Sequence, residues 1–128
     1  MMPKFDDPEI KKKYKPVDRL WKKLRVDNLW LWILKLLLEK NKYAYELRQE
    51  IKDRFGFEPA TVTSYAVLYR LERSGFVSEA SQSLSPNRKY YEITPKGVDA
   101  LKYAEKIINQ TLDELFSDIP DWPMKNGV

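Results

Sequence analysis

The stretch RKYYEITPKG, residues 88–97, constrains the fold more than any other part of this sequence. Its first six residues, 88–93, have the aromatic and β-branched character of a short strand. Thr94 followed by Pro95 is a typical helix start, because threonine caps free N–H groups and proline lacks the N–H that the first turn leaves unpaired. A second strand, FVSEA at 76–80, is predicted before the turn-rich loop SQSLSPN. The sequence therefore predicts a β-hairpin that leads directly into a helix.

Helical periodicity predicts the elements before the hairpin. A helix capped by Asp18 is expected to begin near Arg19. The apolar run LWLWILKLLL, residues 29–38, either continues this helix or belongs to a second one that starts at Asp27 or Asn28. Because the run is apolar nearly all round, we expect it to be covered on more than one side, with a second subunit as one cover.

Two further helices precede the hairpin, and a long helix follows it. The first is predicted at 44–55 and is ended by Gly56, while the second follows Thr61 as its N-cap and is ended by Gly75. The long helix is predicted to run from residue 95 to about 116. Two helices joined by a tight turn and followed by a hairpin describe a winged helix-turn-helix. The predicted fold class is therefore mainly α with a small β-hairpin, extended by a long C-terminal helix.

The predicted boundaries divide the chain into four parts. A loose basic arm (1–17) precedes the winged helix-turn-helix domain with its N-terminal helix (18–94), and a dimerisation helix (95–117) precedes an irregular tail (118–128). The small domain cannot cover both the last helix and the run LWLWILKLLL, so the surplus apolar surface predicts a homodimer. The predicted dimer residues are Leu31, Leu34, Leu101, Ile108, Leu112 and Leu115.

Composition argues against an enzyme. The 128 residues include no cysteine and no histidine, which removes thiol nucleophiles, the usual zinc sites and the commonest general base. No acidic cluster has metal-ligand spacing, so we expect neither a metal nor a cofactor. The longest apolar run is too short for a membrane span of about 20 residues, and no apolar segment follows the N-terminal charges as in a secretory signal. We therefore expect a cytoplasmic protein.

The helix after Thr61 and the hairpin carry side chains that suit DNA. The outer face of the helix offers hydroxyl, small apolar, phenol and guanidinium groups, which fit base edges and phosphates in a major groove. The hairpin loop has no acidic residue and ends in two cations, as phosphate contact requires. An ordinary solvated helix and hairpin end explain the same features without DNA. The candidate DNA-contacting residues are Lys42, Tyr43, Thr61, Thr63, Tyr65, Ala66, Tyr69, Arg70, Arg88 and Lys89.

Three segments resemble the PadR-type transcriptional regulators. They are YAYEL (43–47), TSYAVLYRLERSGFV (63–77) and RKYYEITPKGVDAL (88–101), where the family reads roughly HGYEL, TLYPALRRLEEEGLI and RKYYRLTEKGRAAL. Their order and separations agree, and the resemblance covers about residues 29–116. Its most specific part is RKYY followed by Thr-x-x-Gly.

This resemblance implies a homodimer in which the long C-terminal helix packs against the N-terminal helix of the partner. It also implies repression of nearby genes, relieved in some members by small aromatic or hydrophobic ligands at the dimer interface. In that light Trp21, Trp30 and Trp32 are candidate ligand-binding residues, with ordinary packing as the alternative. The expected function is a sequence-specific DNA-binding transcriptional regulator, and the alternative is a winged-helix protein-interaction module that does not bind DNA.

Overall fold

Six α-helices and three short strands make up the described part of the chain, residues 7–81 and 85–119 of a computed structural model. Part of the predicted arm, part of the hairpin loop and most of the predicted tail lie outside those residues. In chain order the elements are α1 (Pro8–Lys13), α2 (Lys15–Arg25), α3 (Leu29–Glu39), β1 (Lys42–Tyr43), α4 (Ala44–Glu50), α5 (Thr61–Arg73), β2 (Val77–Glu79), β3 (Tyr90–Ile93) and α6 (Pro95–Phe116). The mainly helical architecture with a small sheet confirms the predicted fold class.

Residues 8–13 and 15–17 are helical, although the sequence predicted a loose arm over 1–17. Asp7 caps α1 by accepting a hydrogen bond from a backbone N–H two residues on, and α2 begins at Lys15 rather than near Arg19. Asp18 therefore lies inside α2 and caps nothing. Its carboxylate instead pairs with the ammonium group of Lys22, one turn further on, at 3.0 Å.

A short turn at residues 26–28 separates α2 from α3, so the alternative of two helices is the right one. Asn28 holds this turn through both ends of its side-chain amide. The amide nitrogen donates to the Lys23 carbonyl at 2.7 Å, and the amide oxygen accepts from the Trp30 indole at 3.2 Å. The turn lets α2 fold away from the axis of α3.

Helix α3 is the centre of the core. It contacts α2, α5, α6 and β3, which explains why its sequence is apolar nearly all round. Leu34 is completely buried among these elements of its own chain. The prediction that Leu34 forms a dimer contact is therefore wrong, because neighbouring elements of the same chain already cover it. The buried residues of α3 are Leu29, Ile33, Leu34, Leu36 and Leu37.

The helix-turn-helix follows. Helix α4 continues through one π-helical turn, Ile51–Phe55, and Gly56 ends it with φ +77°, as predicted. Helix α5 begins at Thr61, but the cap position is Ala60, so the predicted cap is one residue late. The Ser64 hydroxyl donates to the Ala60 carbonyl at 2.9 Å and joins the buried face of α5.

The predicted hairpin belongs to a three-stranded antiparallel sheet in the order β1-β3-β2. Strand β1 pairs with β3, with Tyr43 opposite Tyr90, at a place where no strand was predicted from the sequence. Thr94 caps α6 as predicted, because its hydroxyl accepts from the Gly97 N–H at 3.1 Å and donates to the Gly75 carbonyl at 2.6 Å. The sheet, the end of α5 and the start of α6 are therefore tied together.

Helix α6 has the predicted bounds, Pro95–Phe116. Its first turns pack on α3 and β3, whereas every residue from 105 to 118 is exposed. The exposed part includes Ile107, Ile108, Leu112 and Leu115, whose exposed fractions are 63%, 44%, 52% and 58%. No helix within the described ranges is long and apolar enough to cross a membrane.

Candidate nucleic-acid interface

The outward face of α5 is a mixed surface of phenols, guanidinium groups and hydroxyls. Tyr65 and Tyr69 are more than half exposed, and Arg70 and Arg73 are exposed beside them. The Arg73 guanidinium donates to the Tyr69 hydroxyl at 3.0 Å and so fixes that phenol along the helix. Thr61 is exposed at the first position of α5, while Ala66 is half-buried. Most of the predicted contact residues of α5 are therefore accessible together.

Thr63 points away from the middle of that face. It is half-buried and lines a cleft of about 640 Å³ between α5, the α2–α3 turn and the start of α6. Asp27 and Trp30 form the opposite wall of the cleft, and Arg70 stands at the same side of α5 as Thr63. The predicted pair Thr63 and Arg70 is thus close together, but on the flank of α5 that faces the N-terminal helices.

The two cations of the hairpin have different surroundings. The Lys89 ammonium donates to the Glu72 carboxylate of α5 at 2.8 Å and lies 5.2 Å from the centre of the Tyr91 ring. This hydrogen bond raises the pKa of Lys89 above its ordinary value. The Arg88 guanidinium lies 4.5 Å above the Tyr43 ring, at the start of α4. Each cation therefore links the hairpin to a different helix of the helix-turn-helix.

The start of α4 is aromatic and carries an acid of its own. Tyr43 stacks on Tyr45 with ring centres 6.5 Å apart and meets Tyr90 edge-on at 5.4 Å. Its backbone N–H donates to the Glu46 carboxylate at 3.4 Å. The Glu46 carboxylate therefore occupies one backbone N–H at the start of this helix. A phosphate would have to displace this carboxylate from the helix N-terminus.

Lys42 does not belong to the accessible surface. Its side chain is 3% exposed and its ammonium group pairs with Glu50 at 2.9 Å. The same Glu50 pairs with Arg54 at 3.2 Å, and Arg54 pairs with Glu39 of α3 at 2.6 Å. Lys35 completes this chain of charges by pairing with Glu39 at 2.8 Å. We therefore withdraw Lys42 from the candidate DNA contacts, since it holds β1 against α4.

The guanidinium of Arg54, with the ammonium of Lys35, lowers the pKa of Glu39 from 4.5 to about 2. Both cations stabilise the ionised carboxylate, because hydrogen bonds and nearby positive charge favour the charged form. Glu39 lies at the end of α3, and Arg54 lies in the π-helical turn after α4. This pair therefore fixes the first helix of the helix-turn-helix against the central helix of the core.

The three predicted ligand-binding tryptophans do not lie together. Trp32 packs on Phe57 with ring centres 5.2 Å apart, and Trp21 meets the same ring edge-on at 6.1 Å. The Arg25 guanidinium lies 4.6 Å from the Trp21 ring and 5.3 Å from the Trp32 ring, and burial lowers its pKa. Trp30 lies apart from this cluster, on the clefts beside α6. Trp21 and Trp32 thus pack α2 on the core.

A second cleft, of about 680 Å³, lies between the end of α2, the start of α3 and the middle of α6. Leu31 is half-buried in its wall, and Leu101 is half-buried against the core. Of the remaining predicted dimer residues, Ile108, Leu112 and Leu115 are all exposed. The structure thus brings the exposed stripe of α6 next to Leu24 at the end of α2, which sequence spacing alone could not show.

Comparison with known proteins identifies the family. The family model described as the transcriptional regulator PadR-like family matches residues 33–103, which is more than half of the chain. The chain belongs to the PadR-like family. That family is described as one of transcriptional regulators.

Individual PadR-like and related proteins share the fold. A PadR family transcriptional regulator from Eggerthella lenta is 26% identical with a TM-score of 0.62, over 79% of this chain and 86% of that one. A transcriptional regulator from Clostridium thermocellum is 26% identical with a TM-score of 0.61, over 70% and 91%. An uncharacterised protein X from Lysinibacillus sphaericus is 42% identical over 69 residues, 51% of this chain. The match spans 63% of that relative, less than two thirds of its length.

Sequence reasoning missed the acids of this PadR-like surface. Glu46 and Glu72 both lie in segments that resemble the family motifs, but no local pattern shows that Glu72 meets Lys89. For Glu46 a signal existed, since an acid three residues after the N-cap position is the acidic half of a capping box. The Glu72–Lys89 pair joins residues 17 positions apart and depends on how the hairpin folds over α5.

Proposed function

We propose that this protein is a homodimeric repressor that binds specific DNA sites through α5 and the hairpin. The observation that carries the proposal is the exposed face of α5, where Tyr65, Tyr69 and Arg70 are accessible together on a PadR-like scaffold. A helix of this kind fits the major groove, and a hairpin with Arg88 at the end of its loop suits the flanking phosphates.

Selection of genomic fragments by the purified protein tests DNA binding directly. The expected result is enrichment of fragments that share one inverted repeat, because a two-fold dimer presents two copies of α5 about one helical turn apart. Gel-shift titrations at several salt concentrations then measure how many phosphates are contacted, since the logarithm of affinity falls with the logarithm of salt in proportion to that number. Enrichment no better than chance would contradict the proposal.

A winged-helix module for protein partners is the second candidate. It is favoured by two observations, the neutralisation of Lys89 by Glu72 and the 82% exposure of Val62 on the outer face of α5. The same salt titration separates the candidates, because a protein-interaction module would show no salt-dependent shift of duplex DNA.

The proposed dimer uses the apolar stripe of α6 and the exposed apolar side of α2. Val17, Leu20 and Leu24 recur three and four residues apart and are between 41% and 59% exposed. Leu24 already lies at the cleft that Ile107 and Ile108 line. A partner helix laid in this cleft would cover both apolar surfaces at once.

A small hydrophobic or aromatic ligand would compete with that partner helix or fill the space beside it. Trp30 is the one proposed tryptophan that lines the cleft, and Tyr103 and Ile108 provide further apolar wall. We therefore restrict the proposed ligand contact to Trp30, because Trp21 and Trp32 pack on Phe57. Quenching of tryptophan fluorescence by planar aromatic compounds, lost in Trp30→Phe and kept in Trp21→Phe, is the expected result.

A further inference from the structure

Helix α2 has three distinct faces. Asp18, Trp21 and Arg25 are half-buried on its inner side. The exposed apolar residues at 17, 20 and 24 form a second side, and cations four and three residues apart form a third. We call this third side the basic stripe of α2, and its residues are Lys15, Arg19 and Lys22.

The inner side of α2 is fixed next to the turn that leads into α5. Trp21 meets Phe57 of that turn, and the Lys11 ammonium of α1 lies 5.5 Å from the centre of the Trp21 ring. Lys22 lines a shallow cleft with Gly56, Phe57 and Glu58. Lys22, at one end of the basic stripe, therefore lies beside this turn.

Helix α5 has the hairpin near its last turns and the end of α2 near its first turns. At its last turns Glu72 holds the hairpin through Lys89. At its first turns Thr63 shares a cleft with Asp27, directly after α2. A duplex seated on the outward face of α5 would extend past both ends of that helix, since the helix is shorter than the footprint of a DNA-binding domain.

Helices α1 and α2 are more basic than the rest of the chain. Residues 8–25 contain eight Lys or Arg residues and two acidic residues, whereas the net charge of the whole protein is +4. Lys22 is paired with Asp18, but within the described residues no carboxylate lies within salt-bridge distance of Lys15 or Arg19. These residues also precede the part that matches the family model, residues 33–103. The stripe therefore lies outside the part of the chain that the family model matches.

We propose that the basic stripe of α2 is a second DNA contact that binds backbone phosphates flanking the segment read by α5. The proposal rests on the DNA binding proposed above and adds a surface that carries no sequence information. Phosphate contacts fix register and raise affinity for every sequence equally, because the phosphates are the same in all duplexes.

Neutralising Lys15 and Arg19 together tests the proposal. For Lys15→Gln with Arg19→Gln, we expect the slope of log affinity against log salt to fall by about two units, since each phosphate contact contributes nearly one. Affinities for the preferred site and for random duplex should fall by the same factor, on the order of tenfold or more at low salt. The selected sequence should not change.

The matched control is Lys102→Gln with Lys106→Gln, two exposed cations on the side of α6 away from its apolar stripe. This variant has the same net charge as the stripe variant. Its DNA affinity should fall with salt at the wild-type slope. Hydroxyl-radical footprints provide a second readout, because only the stripe variant should lose protection of phosphates outside the inverted repeat.

Three results would overturn the proposal. Equal salt slopes for the stripe and control variants, with DNA binding by the wild type intact, would contradict the second contact but not the proposed function. No duplex binding by the wild-type protein would contradict both the second contact and the proposed function. Loss of binding to vesicles of anionic phospholipid in the stripe variant, with unchanged duplex binding, would assign the stripe to a membrane surface instead.

Discussion

The Glu72 carboxylate of α5 and the Lys89 ammonium of the hairpin lie 2.8 Å apart, and this ion pair ties the proposed recognition helix to the wing. Both side chains are partly exposed, at 32% and 43%. An ion pair at such exposure contributes little to stability, about 0–1 kcal/mol. The ion pair affects DNA binding more than stability, because a cation that is already paired with a carboxylate attracts a phosphate less strongly.

Replacing Glu72 by glutamine should therefore increase DNA affinity. In Glu72→Gln the Lys89 ammonium gains a phosphate as its only charged partner at that position, so the salt slope should steepen by up to about one unit. Salt-dependent gel shifts measure this, with Glu105→Gln on exposed α6 as the control of equal charge change. Adding Lys89→Ala to Glu72→Gln should return the slope to the wild-type value, and a slope that stays steep would contradict the role of Lys89.

Arg70 should contribute to sequence preference. It is exposed on the flank of α5 next to Thr63, where a guanidinium can reach a guanine or a phosphate. Arg70→Ala should relax the preference at one base pair by about 1–3 kcal/mol while retaining binding to random duplex. Selected-site sequencing measures the change, with Lys102→Ala as the control. An unchanged preference in Arg70→Ala would place base recognition elsewhere on α5.

Gly97 should tolerate no larger side chain. A Cβ atom at this position would lie 2.3 Å from the Phe76 carbonyl oxygen and 2.7 Å from Cγ1 of Ile93. Since backbone blocks the first of these contacts, Gly97→Ala must push α6 away from the sheet and should lower the free energy of unfolding by about 1–3 kcal/mol. Urea denaturation compares it with Asp99→Ala, an exposed position two residues on. Equal midpoints would show that α6 can shift without cost.

The charge chain around Glu39 predicts a defined acid sensitivity. The folded-state pKa of Glu39 is about 2 against an ordinary 4.5, so its ionised form stabilises the fold above pH 4.5 and this contribution is lost as pH falls towards 2. Glu39→Gln should therefore unfold at a lower temperature than the wild type at pH 7. The difference between the two unfolding temperatures should shrink as the pH falls from 4.5 to 2. Thermal denaturation from pH 7 to pH 2 measures this. A difference in unfolding temperature that does not change with pH would contradict the ion pair. Glu105→Gln is the control, because it removes one exposed carboxylate elsewhere in the chain.

The sequence predicted the elements with strong periodic or capping signals. Thr94, Gly56 and Gly75 mark element ends that the structure retains, because each of these residues meets a local backbone requirement. Strand β1 was missed since two residues cannot show an alternating pattern, and it exists only through its pairing with β3.

The errors at the candidate site arise from long-range packing. The turn at residues 26–28 folds α2 back, so that Trp21 and Trp32 meet Phe57 while Trp30 faces α6. Lys42 looked like an accessible cation because Glu50 reaches it only after β1 and α4 have formed. Periodicity within one helix contains no information about either arrangement. It did predict the exposure of Tyr69 and Arg70 on α5, whereas Thr63, expected on the same outer face, is half-buried.

The dimer is the last prediction, and the inverted repeat depends on it. Ile108 and Leu112 are 44% and 52% exposed on one stripe of α6, and burying such a side chain fully contributes about 1.5–3 kcal/mol. Ile108→Asp with Leu112→Asp would instead place two carboxylates in the proposed interface, where an unpaired buried charge is strongly destabilising. The mass measured by sedimentation should therefore change from twice the 15.3 kDa chain mass to the monomer mass, and selection of the inverted repeat should be lost.

Asn109→Asp with Gln110→Asp is the control, because it adds two carboxylates to the same helix away from the stripe and should remain dimeric. A wild-type protein that sediments as a monomer at micromolar concentration would contradict the dimer, and a stripe variant that remains dimeric would place the interface elsewhere.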